Sequence, residues 1–141
     1  ARTRSQGFSG EACWPWIKEL KESLSIPVVG NGDIRSWQDA WEKKEFSGCD
    51  GVMIGRGAIG RPRLFQEIRN RETLLLPRDA VMERLFVQYT AKAEWVGERK
   101  AVLQMRKVAP FSVRGFPDAK EIRMALNKAG TLREAREVLG V

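Results

Sequence analysis

Two stretches decide how this chain is to be read: Ile26-Pro27-Val28-Val29-Gly30-Asn31-Gly32-Asp33-Ile34, and further on Gly48-Cys49-Asp50-Gly51-Val52-Met53-Ile54-Gly55-Arg56-Gly57-Ala58. In each, a short apolar run (Ile26 to Val29, then Val52 to Ile54) runs into a glycine-rich turn, the composition of a buried strand entering a tight turn. Between them Ser36, followed three residues later by Asp39, marks a helix start. Trp37, Ala40, Trp41 and Lys44 continue that helix and Gly48 stops it. Upstream, Ala12, Trp16, Ile17, Leu20 and Leu24 recur at helical spacing and predict a helix over 11–24, opened by Ser9 and Gly10. A short helix is expected over 64–69. The order helix, strand, helix, strand with short connections implies parallel strands and an α/β layer architecture.

Beyond Leu76 only helical periodicity is found. Val81, Met82, Leu85, Phe86, Tyr89, Ala93 and Val96 form one stripe, entered through Pro77 to Asp79 and stopped at Gly97. A further helix is expected over 100–108. Another has Pro117 at its first position and carries Ile122, Ala125, Leu126 and Ala129. Thr131 with Glu134 matches a capping box for a last helix over 132–139. Charge divides at the same place: residues 1–76 carry 12 Lys+Arg and 10 Asp+Glu, whereas residues 77–141 carry 13 and 8. Two parts are expected, 1–76 α/β and 77–141 all-helical and basic.

At 141 residues, 43% apolar and 30% charged, the chain is too hydrophobic for a disordered tail and long enough for an ordinary core. No apolar run approaches the roughly 18 to 20 residues of a membrane span, and residues 1–10 are polar and basic, so a cytoplasmic protein without membrane contact is expected. Histidine is absent, which removes the common zinc sites and every Ser-His or Cys-His nucleophile; no metal is expected. Cys13 and Cys49 are too few for a disulfide scaffold and read as small buried apolar side chains.

A turn at a strand's carboxyl end exposes backbone N–H groups, and glycine permits the left-handed dihedrals and close approach that an anion requires. Two consecutive strands ending in Gly30-Asn31-Gly32 and Gly55-Arg56-Gly57 would bring both donor sets to one rim, the frequent phosphate site of (β/α)8 barrels. Arg56 would add a charge-assisted contact. The other reading is that these glycines only shape two βα turns. Neither turn is a Walker loop, and Gly55 to Gly60 spells Gly-x-Gly-x-x-Gly without the flanking acid of a dinucleotide site.

Taken together these residues closely resemble the tRNA-dihydrouridine synthases, and among them the bacterial B-type branch. Arg2 to Gly10 looks like that family's segment after its sixth barrel strand; Arg106-Lys107, Gly115-Phe116-Pro117 and Arg123 resemble its C-terminal helical domain. The resemblance implies the C-terminal part of a (β/α)8 TIM barrel followed by an all-helical tRNA-binding domain. Under it, Asn31, Gly32 and Asp33 match the first flavin-phosphate-binding turn, and Gly55 and Arg56 match the second, with FMN as the cofactor. The implied reaction is NADPH-dependent reduction of the uridine C5–C6 double bond in tRNA, with hydride from the reduced flavin and a cysteine as general acid. The family's catalytic Cys, its flavin-site Lys and a His all fall upstream of Ala1, so no catalytic residue is expected in this chain, which alone is expected to be inactive. The pattern departs from the family at Cys13, where Asp is usual, at Arg63, where Trp is common, and over 108–113, which lacks the usual His and has Phe111 as its one aromatic.

Net +5 over residues 77–141 suits a polyanionic partner. Arg99, Lys100, Arg106, Lys107 and Arg114 are candidates for RNA backbone contact, and Arg2 and Arg4, beside the rim, for substrate RNA. Trp16, Trp37 and Trp41 read as cover for the sheet, while Trp95, near the end of the first helix of the basic part, is left open for base stacking. The full-length form is expected to be monomeric. Two other function classes remain: a non-enzymatic RNA-binding module, and a phosphate-binding barrel fragment acting on a small phosphorylated substrate.

Overall fold

The computed structural model describes residues 2–7 and 9–141; Ala1, and Phe8 of the Arg2 to Gly10 segment, lie outside the described residues. The chain falls into two compact units, Ala1–Leu74 and Leu75–Val141.

In the first unit the order is α1 (Trp14–Ser23), β1 (Val29–Asn31), α2 (Trp37–Ser47), β2 (Gly51–Met53), a single 3-10 turn (Arg56–Ala58) and α3 (Leu64–Asn70). The two strands are parallel, as the alternation requires, with Val29 opposite Gly51, Gly30 opposite Val52 and Asn31 opposite Met53. Helix α2 realises its sequence signals in full. The Ser36 hydroxyl accepts the Asp39 N–H, the Asp39 carboxylate accepts the Ser36 N–H, and Gly48 closes the helix in the left-handed conformation.

The bounds of α1, β1 and β2 differ from the sequence expectation, the first two for a physical reason. Helix α1 starts at Trp14 and not at Glu11, because the Ala12 N–H is donated to the Asp33 carboxylate (2.7 Å), and Pro15 then suits the first turn, where its missing N–H costs nothing. β1 occupies 29–31 and not 26–29. Pro27 cannot donate to a ladder, and the Val28 N–H goes to the Asp50 side chain (2.7 Å). Ile26 and Val29, read as buried, are 62% and 61% exposed, and the buried residue of β1 is Gly30. β2 begins one residue early, at Gly51, and Ile54 follows it.

Trp14 explains Gly30. Its ring lies where a Cβ on Gly30 would stand, 2.5 Å and 2.8 Å from two ring carbons, and its indole N–H is donated to the Gly32 carbonyl (3.0 Å). Trp14, Ile17, Ile34, Ala40 and Cys49 form the core of this unit. Trp14, rather than the three tryptophans expected to cover the sheet, stands against Gly30 in this core. Trp16 is exposed instead, while Trp37 and Trp41 donate to Thr73 (3.2 Å) and to the Ile68 carbonyl (2.8 Å), so they fasten α2 to α3 and its tail.

The second unit is helical throughout: α4 (Arg78–Val96), α5 (Glu98–Met105), α6 (Ala109–Ser112), α7 (Ala119–Lys128) and α8 (Leu132–Leu139). Met82, Leu85 and Tyr89 of α4 pack with Val102, Met105, Ile122, Leu126 and Leu139. Gly97, at φ 85°, both ends α4 and opens α5, which therefore runs over 98–105 and not 100–108. The short α6 had no distinct periodicity to announce it, and Pro117 precedes the N-cap Asp118 of α7, outside the helix. At α8 the Thr131 hydroxyl accepts the Glu134 N–H (3.2 Å), but the Glu134 carboxylate reaches the Gly130 N–H (2.7 Å), one residue before the cap.

Candidate functional site

The parallel register brings the ends of β1 and β2 to the same edge of the sheet, so that both glycine turns stand together there. In the first turn Gly32 takes φ 128°, and a Cβ on it would run into the Ala12 side chain; glycine is required twice over. Asp33 follows at φ 52°, a conformation rare outside glycine, asparagine and aspartate. The second turn leaves β2 through Gly55, where a Cβ would meet nothing within 4 Å, and enters the 3-10 turn of Arg56–Ala58. Gly57 sits so tightly on the carbonyl of Ile34 that a Cβ could not be fitted. That contact seats the second turn directly on the residue after the first.

The side chains sort into different tasks. Asn31 extends its amide N–H to the Met53 carbonyl (2.9 Å) and tilts towards the Met53 sulfur, tying the strand ends together. The Asp33 carboxylate accepts one Arg2 guanidinium nitrogen on both oxygens (2.7 and 2.8 Å) and the Ala12 N–H (2.7 Å). The Arg2 hydrogen bond, the Ala12 N–H and the nearby Arg2 and Arg35 charges hold the Asp33 carboxyl below the usual carboxylate range, against a smaller desolvation effect. Arg2 also donates to the Ser9 (3.3 Å) and Gly10 (2.7 Å) carbonyls and so straps segment 2–10 to the turn. Arg56 and Arg4 are exposed, and Arg35 adds a further exposed cation immediately after Ile34. The acidic side chain at this edge, Asp33, is paired with Arg2.

One charged cluster was not anticipated. Glu67 of α3 is fully buried, and its carboxylate is held by Arg61 (2.5 Å), by Arg63 (3.3 Å) and by the Leu74 N–H (3.2 Å). The available signal was a Glu at i+3 from Leu64 on the inward face of α3, with arginines four and six residues before it. Cys49 is buried before β2, at the edge opposite the turns, and donates to the Gly51 carbonyl (3.1 Å); Cys13 is half-buried at the start of α1. Among the described residues no cluster of three His, Cys, Asp or Glu could hold a metal ion. None of the described helices is long and apolar enough to cross a membrane.

In the second unit Arg99, Lys100, Lys107 and Arg114 are exposed. Arg106 is half-buried: it donates to the Ala129 carbonyl (2.9 Å) at the end of α7, while its Nε is buried without a partner.

A family model described as "Dihydrouridine synthase (Dus)" matches residues 1–140. The chain belongs to the dihydrouridine synthase family. It is 32% identical over 134 residues to a protein of Aquifex aeolicus named "Probable tRNA-dihydrouridine synthase", covering 95% of this chain and 42% of that one. It is 38% identical over 131 residues to a protein of the same name from Rickettsia bellii, covering 89% and 40%. A third of that name, from Mycobacterium leprae, is 38% identical over 140 residues, covering 95% and 36%. The chain therefore spans about two fifths of the length of the curated relatives it matches.

Proposed function

We propose that this chain is the C-terminal part of an FMN-dependent tRNA-dihydrouridine synthase: the last βα units of a (β/α)8 barrel, bearing the flavin-phosphate rim, followed by helices that hold tRNA. The observation that carries the reading is the seating of Gly57 on the Ile34 carbonyl, which brings two glycine turns from consecutive parallel strands to one edge. The residues present fit a phosphate. Open space faces Gly55, the turn N–H groups lie at strand ends, and Arg56 supplies an exposed cation.

In this assignment Asn31, Gly32, Gly55 and Arg56 bind and orient the phosphate. Asp33 has a different task from its neighbours, since a carboxylate repels a phosphate: it fixes the turn and positions Arg2. When bound, the flavin supplies the hydride that reduces the uridine C5–C6 double bond, and NADPH restores it. The proton comes from a cysteine outside this chain, so the 141 residues alone hold a phosphate and RNA but reduce no uridine. Arg4, Arg99, Lys100, Lys107 and Arg114 neutralise RNA phosphates, with Arg2 and Arg106 contributing less because their guanidinium groups are already engaged.

The test is Arg56→Ala in the full-length enzyme. Loss of yellow flavin absorbance through gel filtration, restored by excess FMN, is expected; unchanged flavin occupancy overturns the assignment.

A further inference from the structure

The second unit carries one aromatic side chain that nothing in its own packing explains. Trp95, in the last turn of α4, is 81% exposed, while the rest of the unit has a closed core of its own. The ring is not bare of charge: the Lys92 ammonium stands 5.0 Å from its centroid. Helical spacing aligns Trp95 with Arg84, Gln88, Ala91 and Lys92 in one stripe along α4. The acids Glu83 and Glu94 are turned away from its axis by about 100° or more, given roughly 100° per residue. Immediately past Gly97, Arg99 and Lys100 are exposed at the start of α5, and the neighbouring Glu98 is occupied in accepting the Leu132 N–H (2.8 Å) at the start of α8.

We propose that Trp95 and the cationic stripe of α4 form a stacking platform for an unpaired nucleobase of RNA. The inference deepens the tRNA-binding reading above and rests on it. Its physical basis is complementarity of two kinds. A nucleobase offers a π-face to the exposed indole, and its flanking phosphates meet Arg84, Lys92, Arg99 and Lys100 with no acid on the stripe to oppose them. A base inside a duplex has no free face, so the platform selects single-stranded or splayed-out nucleotides. Lys92 is held near the ring by its own attraction to the π-system, already placed for a phosphate next to the stacked base.

The experiment uses the whole chain with two labelled probes of identical sequence, a short single-stranded RNA and the same strand in a blunt duplex, titrated by fluorescence anisotropy at several salt concentrations. Trp95→Ala is expected to weaken single-strand binding about ten- to a hundredfold, with the salt slope unchanged and duplex binding within about twofold. Trp95→Phe should keep most of the affinity. The double variant Arg99→Ala/Lys100→Ala should instead lower the salt slope by about two for both probes. Circular dichroism melting confirms that the exposed-site variants fold. If the chain binds RNA with a steep salt slope but Trp95→Ala binds the single strand as wild type does, the platform is overturned and the tRNA reading stands; that is the outcome of a ring that faces a protein. Equal loss on both probes also overturns it. If the folded chain binds no RNA at all, both readings fall together.

Discussion

Asp33→Asn separates a structural clasp from a phosphate ligand at the same position. The substitution keeps the shape of the side chain but removes its charge. Asp33 presents two oxygens to three donors' worth of hydrogen bonding: Arg2 reaches both, and Ala12 reaches one. An asparagine keeps one acceptor and turns an NH2 towards either Arg2 or the Ala12 N–H, donor against donor. Arg2 and Asp33 retain 14% and 21% of their side-chain exposure, which places the pair between a surface ion pair, worth about 0–1 kcal/mol, and a buried one, about 3–5 kcal/mol when broken. A loss of about 2 kcal/mol follows, roughly a thirtyfold drop in the folded-to-unfolded ratio of the first unit. Urea unfolding followed by tryptophan emission reads it, because Trp14, Trp16, Trp37 and Trp41 all lie in residues 1–74. The pH dependence fixes the cause. The folded Asp33 carboxyl is held below its unfolded value, so its contribution is complete above about pH 4 and disappears as pH falls through the lowered folded value. The gap between wild type and Asp33→Asn should therefore be full at pH 7 and close progressively below about pH 4. Arg2→Ala should cost little more when added to Asp33→Asn, a coupling of about 1 kcal/mol or more. A gap that stays constant into acid, or fully additive single variants, would refute the clasp.

Three further outcomes follow from the packing. Gly57→Ala must push a methyl into the Ile34 carbonyl, so a loss of about 2–3 kcal/mol in urea unfolding is expected, together with weaker flavin retention by the full-length enzyme. Glu67→Gln removes the charge that holds Arg61 and Arg63; since both arginines reach solvent, the cost should be about 2 kcal/mol, less than for a sealed pair, and Arg61→Ala should cost no more than this in the same melt. The Tyr89 hydroxyl is buried without a partner and burial pushes it up to about 12, so stability should decline with pH between about 10 and about 12, where the unfolded phenol ionises first. Tyr89→Phe should abolish that alkaline decline and leave stability at pH 7 unchanged or raised by about 1 kcal/mol, as measured by thermal unfolding.

How far the fold could be read from the residues depended on whether the deciding interaction was local. Helices α2 and α8 were legible to the residue because Ser36 with Asp39, Gly48, and Thr131 are capping groups that act on their own neighbours. The largest shifts in the first unit, at the starts of α1 and β1, arose where a partner distant in sequence intervened. Asp33 reaches back 21 residues to Ala12 and delays α1, and Asp50 reaches back 22 to Val28 and holds it out of the strand ladder. Both are aspartates at strand ends, and neither pairing has a periodic signature. The candidate rim divides in the same way. Glycine turns after apolar runs announced its position, but what each glycine does depends on what stands opposite: the Trp14 ring for Gly30, Ala12 for Gly32, Ile34 for Gly57, and open space for Gly55. Three of the four are therefore demanded by the protein's own packing, which fixes where the two turns meet, and the fourth leaves the room that a ligand would take. Under the proposed phosphate assignment, substitutions at Gly30, Gly32 and Gly57 should register in stability first, whereas filling the space over Gly55 should register in flavin retention.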